Sequence, residues 1–66
     1  MAIFKSAKDL KPGDIVGPSI VNEVYGQIKE IKPAQYDVMW AYTEMGRYLL
    51  FKEGNVQYFG NVLEGV

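Results

Sequence analysis

Glycine and proline interrupt this chain at short intervals: Pro12-Gly13, Gly17-Pro18, Gly26, Pro33, Gly46, Gly54 and Gly60. Proline fixes φ and lacks a backbone donor, while glycine tolerates positive φ, so these positions read as turns or breaks. The stretches between them read as strands. Asp14-Ile15-Val16 begins the first, Gly17-Pro18-Ser19 interrupts it, and Ile20 to Tyr25 leads across a loop to Gly26. From Gln27 to Lys32 the apolar residues Ile28 and Ile31 lie three apart, which breaks alternation and predicts a bulge near Lys29-Glu30. Lys32-Pro33-Ala34-Gln35 reads as a turn, because proline cannot donate to a sheet ladder.

Tyr36 to Thr43 is the clearest strand. Tyr36, Val38, Trp40 and Tyr42 share one face, expected to be the core, and Asp37, Met39, Ala41 and Thr43 share the other. Glu44-Met45-Gly46 gives a hairpin loop, Arg47 to Lys52 returns, and Glu53-Gly54-Asn55 turns again. Val56 to Phe59 follows, Gly60 breaks it, and Val62 to Val66 reads as a last short strand. Ahead of all these, Ser6 with Asp9 three residues later resembles a capping box. The single helical turn it predicts would stack Lys5, Lys8 and Lys11 on one solvated side. The expected fold class is all-β: residues 1–66 as one small five-stranded barrel with a short N-terminal helical turn.

A domain of this size buries only about 60% of the surface its unfolded chain exposes, so a lone copy is marginal. The usual staples are missing. The chain has no cysteine and no histidine, which excludes disulfides, thiolate zinc sites and the commonest metal ligand. Association with copies of itself or with another chain is the remaining route, and the sequence supports a neighbouring subunit. Tyr48-Leu49-Leu50-Phe51 makes both faces of one strand apolar, and Val56, Tyr58 and Phe59 populate both faces of the next. The interface candidates are Tyr48, Leu49, Phe51, Val56, Tyr58 and Phe59.

The formal charge of −1 argues against a general basic coat for duplex DNA. The longest apolar run, Val38 to Tyr42, is far short of a membrane span, and Met1-Ala2-Ile3-Phe4-Lys5 lacks the apolar region of a secretory signal. A cytoplasmic protein is expected. Enzyme chemistry finds no footing: Ser6, Ser19 and Thr43 have no histidine to activate them, and Asp37 and Glu44 share no demonstrable cleft. No phosphate-cradling loop, cofactor motif or catalytic residue is expected. Binding suits the residues better. Five tyrosines are many for so short a chain, and aromatic rings serve as stacking platforms or interface anchors. Alternation nevertheless assigns Tyr36, Tyr42 and Tyr48 to the barrel core and subunit interface. A local basic patch would come from Lys29, Lys32, Arg47 and Lys52, all beside turns, with Glu30, Glu44 and Glu53 equally close.

Lys11-Pro12-Gly13-Asp14-Ile15-Val16, Gly26-Gln27-Ile28 and Tyr36-Asp37-Val38-Met39-Trp40 together resemble the SH3-like small-barrel pattern over about 50 residues. Within that class, Val24-Tyr25-Gly26-Gln27-Ile28 and Leu50-Phe51-Lys52-Glu53-Gly54-Asn55 are similar to segments of the Sm-like group, including the bacterial Hfq type. The resemblance implies a homo-oligomeric ring joined by strand edges and binding single-stranded RNA. Matched by position, Tyr36 would stack a base, with Asn55 and Lys52 completing the pocket. The family's Asp six residues after the glycine is Lys32 here, and its Met-Asn pair is missing. Small proteins of this kind occur in marine phage and metagenomic sequence sets, which the chain resembles. An SH3-like protein-interaction or structural module is the alternative.

A more remote resemblance is to the type II dihydrofolate reductases, pore enzymes built from four small barrels. It rests on Pro33-x-x-Tyr36 and Gly54-Asn55-Val56-Gln57-Tyr58-Phe59, and would make Gln57 and Tyr58 pore residues. That family's pore tyrosine and essential lysine fall at Phe59 and Pro18.

Overall fold

The structure, a computed structural model, describes residues 3–64. Six strands form: β1 (Phe4–Ser6), β2 (Asp14–Gly17), β3 (Gly26–Pro33), β4 (Val38–Thr43), β5 (Gly46–Phe51) and β6 (Asn55–Asn61). One 3₁₀ turn, Ala7–Asp9, follows β1. Every pairing is antiparallel, in the order β1-β6-β2-β3-β4-β5, so the sheet is open with β1 and β5 at its edges. The all-β class stands. The strand count differs from five because Phe4–Ser6 pairs with residues 55–57 of β6.

The turn chemistry placed most strands well, and the departures have local causes. Gly60 does not end β6. At φ 126° it pairs with Ile15, while Val16 pairs with Tyr58, so Phe59 is the extra residue of a bulge. The expected bulge in β3 is present: the register shifts between Ile28 and Glu30. Pro33 is the last residue of β3 and pairs with Met39, a strand end where its missing donor costs little. Residues 62–64 form a turn rather than a strand, and the rest of that expected strand lies outside the described residues.

The largest correction concerns which face of β4 is inside. Met39 and Ala41 are buried, whereas Val38, Trp40 and Tyr42 lie on the outer face, half-buried. Tyr36 is not in the strand at all; it sits in the β3–β4 turn at φ 60° and is 90% exposed. Within β4 the residues alternate as expected, but the ring-bearing face is the outer one. The core explains why: Ala7, Leu10, Val16, Val24, Ile28, Met39, Ala41, Leu50 and Val56 are all aliphatic or methionine. The interior of so small a curled sheet is filled by side chains of that size, and the rings go outside. Tyr48 is the intermediate case, partly buried against the core. Val56 is fully buried, so it stabilises the single copy rather than an interface.

Polar groups pin the ends of this core. Asp14 is buried and accepts hydrogen bonds from the Lys11 backbone N–H at 2.9 Å, Asn61 Nδ2 at 2.7 Å and Lys5 Nζ at 3.2 Å. Asn22 is buried too, and its amide acts as a substitute strand against β5. Its Oδ1 accepts from the Phe51 N–H at 2.8 Å, and its Nδ2 donates to the Phe51 carbonyl at 3.1 Å. That contact fastens the β2–β3 loop, and Gly54 leaves room for it: a Cβ there would lie 2.6 Å from Asn22 Nδ2. Of the N-terminal lysines, Lys8 and Lys11 are exposed as expected and Lys5 is half-buried, and each has its own acidic partner. Lys5 pairs with Asp14, Lys8 with Glu53 at 3.8 Å and Lys11 with Glu64. Ser6 makes no side-chain cap; its Oγ donates to the Lys52 carbonyl instead.

Candidate functional site

Turning Val38, Trp40 and Tyr42 outward creates the most chemically distinctive surface of the molecule. The registers of β3, β4 and β5 place Glu30, Tyr42 and Arg47 in one cross-strand row and Lys32, Trp40 and Leu49 in the next. Val38 and Phe51 form a third. Cations then lean along the diagonals between rows, within reach for long side chains. The Arg47 guanidinium lies 4.4 Å from the centre of the Trp40 ring, and Lys32 Nζ lies 5.4 Å from that of Tyr42. Both distances are those of cation–π contacts. Leu49 and Phe51, each about half exposed, extend the face to the open edge of β5.

The ion pairs sharpen this picture. Lys29 pairs with Glu44 at 3.0 Å and Lys32 with Glu30 at 3.5 Å. Arg47 and Lys52 make no ion pair among the described residues, so their charge is available to a ligand. Lys32 and Arg47 thus share one aromatic face. Lys52 lies near its rim: its backbone N–H donates to the Asp37 carbonyl at 2.7 Å, which holds the β5–β6 turn against the turn carrying Tyr36. Asn55 lies elsewhere, in an open groove of about 650 Å³ whose walls include Phe4, Ile20, Val21 and Gln57. The five expected RNA-contacting residues therefore divide between the aromatic face, its rim and the groove.

The interface candidates divide as well. Leu49 and Phe51 are on the aromatic face, and Phe59 projects from the β6 bulge. Tyr58 is half-buried, with Lys5 Nζ 4.7 Å from its ring centre. Gln57 and Tyr58, the pore residues implied by the reductase resemblance, occupy the groove and this lysine contact respectively. Trp40 and Tyr42 were missed as surface residues, since alternation alone does not say which face is inward. The sheer size of that ring-bearing face was the available signal. Among the described residues no cluster of acidic side chains suited to a metal is present, and no helix is long and apolar enough to cross a membrane. No protein family, curated protein or solved structure matches the chain.

Proposed function

We propose that this chain is a non-enzymatic, self-associating small barrel of the SH3-like/Sm-like type that binds single-stranded RNA on the outer face of β3, β4 and β5. The barrel reading is supported by the strand order β6-β2-β3-β4-β5, a single meander returning its last strand beside its first, with β1 added at one edge. The RNA reading rests on one observation: Trp40 and Tyr42 lie half-buried on the outer face of the sheet with Arg47 and Lys32 against their rings. Unstacked bases pack on aromatic rings and on guanidinium planes, and each such stack contributes about 1–3 kcal/mol without demanding a sequence. The cations meet the phosphates between bases. A duplex presents no free base faces, so single strands are favoured.

The sheet edge bears on the form of self-association. A ring closed on the last strand would have to displace β1, which holds residues 55–57 of β6. A protein-interaction module is the second reading, favoured by the exposed Leu49 and Phe51 at the open edge of the same face. Fluorescence anisotropy with labelled oligo-U and oligo-A at about 50 and about 200 mM salt separates the two. Binding is expected to weaken with salt and to fall sharply in Arg47→Glu, with a smaller loss in Lys52→Glu. Absence of binding at the lower salt, or binding indifferent to Arg47→Glu, rejects RNA and leaves the protein-interaction reading.

A further inference from the structure

We propose that β5 pairs antiparallel with β5 of a second copy about a two-fold axis at Tyr48, joining two aromatic faces into one. This rests on the self-association part of the reading above and not on RNA binding.

Backbone parity comes first. The Lys52 N–H bond to the Asp37 carbonyl, with Val38 opposite Phe51, fixes which β5 residues point their backbone groups at β4. Those are Tyr48, Leu50 and Lys52; Arg47, Leu49 and Phe51 point theirs at the open edge. At Phe51 both groups are taken by the Asn22 side chain. At Arg47 and Leu49 they have no partner among the described residues. The edge therefore offers two residues, spaced as an antiparallel partner requires and stopped at one end by Asn22.

A second β5 satisfies this edge in one two-fold register that clears the Asn22 stop. Arg47 faces Leu49 of the second copy, Leu49 faces its Arg47, and Tyr48 faces Tyr48, so every available edge group is paired. The two Arg47 side chains are offset rather than opposed. The competing partner is the other edge, β1, where Phe4 and Ser6 point outward by the same parity. Setting Arg47 against Ser6 and Leu49 against Phe4 joins unlike edges head to tail and leaves a β1 and a β5 edge open at the ends of the assembly. Closure thus favours the two-fold pairing, because two-fold dimers are the commonest closed assemblies. The pairing extends the rows Tyr42–Arg47 and Trp40–Leu49 across the axis, so each copy contributes half of a single platform.

The chain's lack of cysteine makes the test direct. Residue 48 meets itself at a non-hydrogen-bonded position, where Cα atoms sit about 4.5 Å apart, within disulfide reach. Tyr48→Cys is expected to oxidise to a covalent dimer and no further, without RNA present. Leu49→Cys, which faces Arg47 instead of itself, is expected to stay largely uncrosslinked. A covalent ladder from Phe4→Cys combined with Leu49→Cys would overturn the proposal in favour of head-to-tail assembly. Because Tyr48 also touches the core, wild-type hydrogen exchange provides a second reading. The Arg47 and Leu49 amides should become protected as protein concentration rises, and Leu49→Pro, which deletes an outward donor only, should abolish association while the fold persists. Unprotected amides at all concentrations, or a monomeric mass for wild type, would also overturn it.

Discussion

Tyr36 holds a left-handed backbone conformation at φ 60° with its ring almost wholly in solvent. An L-residue there costs roughly 1–2 kcal/mol, and asparagine bears the conformation best among residues with a side chain. Tyr36→Asn is therefore expected to stabilise the protein by about 1 kcal/mol, read as a higher thermal midpoint. Loss of stability would mean that the ring makes contacts its exposure denies. The opposite sign belongs to Asp14, whose carboxylate gathers Lys5, Asn61 and the Lys11 backbone at one buried point. Asp14→Ala strands all three, and a loss of about 3 kcal/mol is expected in denaturant titration. Trp40 falls between. A core tryptophan would cost about 3–5 kcal/mol on truncation, but on the outer face Trp40→Ala should cost about 1–2 kcal/mol. Leu50→Ala, fully buried, should cost more.

At the scale of elements, strands and turns were legible because their signals are local. Proline, glycine and the three-residue gap between Ile28 and Ile31 located β2, β3, β4 and β5 to within a residue or two, and the β3 bulge as well. What escaped was decided by distant residues. Period-two patterning has no sign, so the inward face of β4 depended on the rest of the core, which aliphatic side chains from the 3₁₀ turn, β2, the loop before β3, β3, β5 and β6 fill. Phe4–Ser6 is too short to announce a strand and exists because β6 offers an edge. Asn22 carries no sequence signature either. It reads as a loop asparagine, yet it replaces a strand at Phe51. Asn22→Ala leaves both Phe51 backbone groups without these bonds, and a loss of about 2 kcal/mol is expected. Hydrogen exchange should show the effect first in the Phe51 amide and the loop of residues 18–25.

The whole molecule has two apolar surfaces and two sheet edges on a chain that is marginal alone. The candidate site was half legible for that reason. Lys32 and Arg47 were visible as turn-flanking cations, and Leu49 and Phe51 as surplus apolar residues. That they meet on one face with Trp40 and Tyr42 follows from strand registers, which no single segment encodes. If two copies share this face, the thermal midpoint should rise with protein concentration, because association draws on the folded state only. The aliphatic interior has an optical consequence. The one tryptophan of the chain lies under Arg47 on the outer face, so its emission reports events at that face more than the state of the core. Iodide, drawn toward the guanidinium, should quench it more efficiently in wild type than in Arg47→Ala, while neutral acrylamide should barely distinguish the two. Any partner that covers the sheet should shield Trp40 from both quenchers with the protein still folded, which makes this ring a built-in probe for ligands whose identity is unknown.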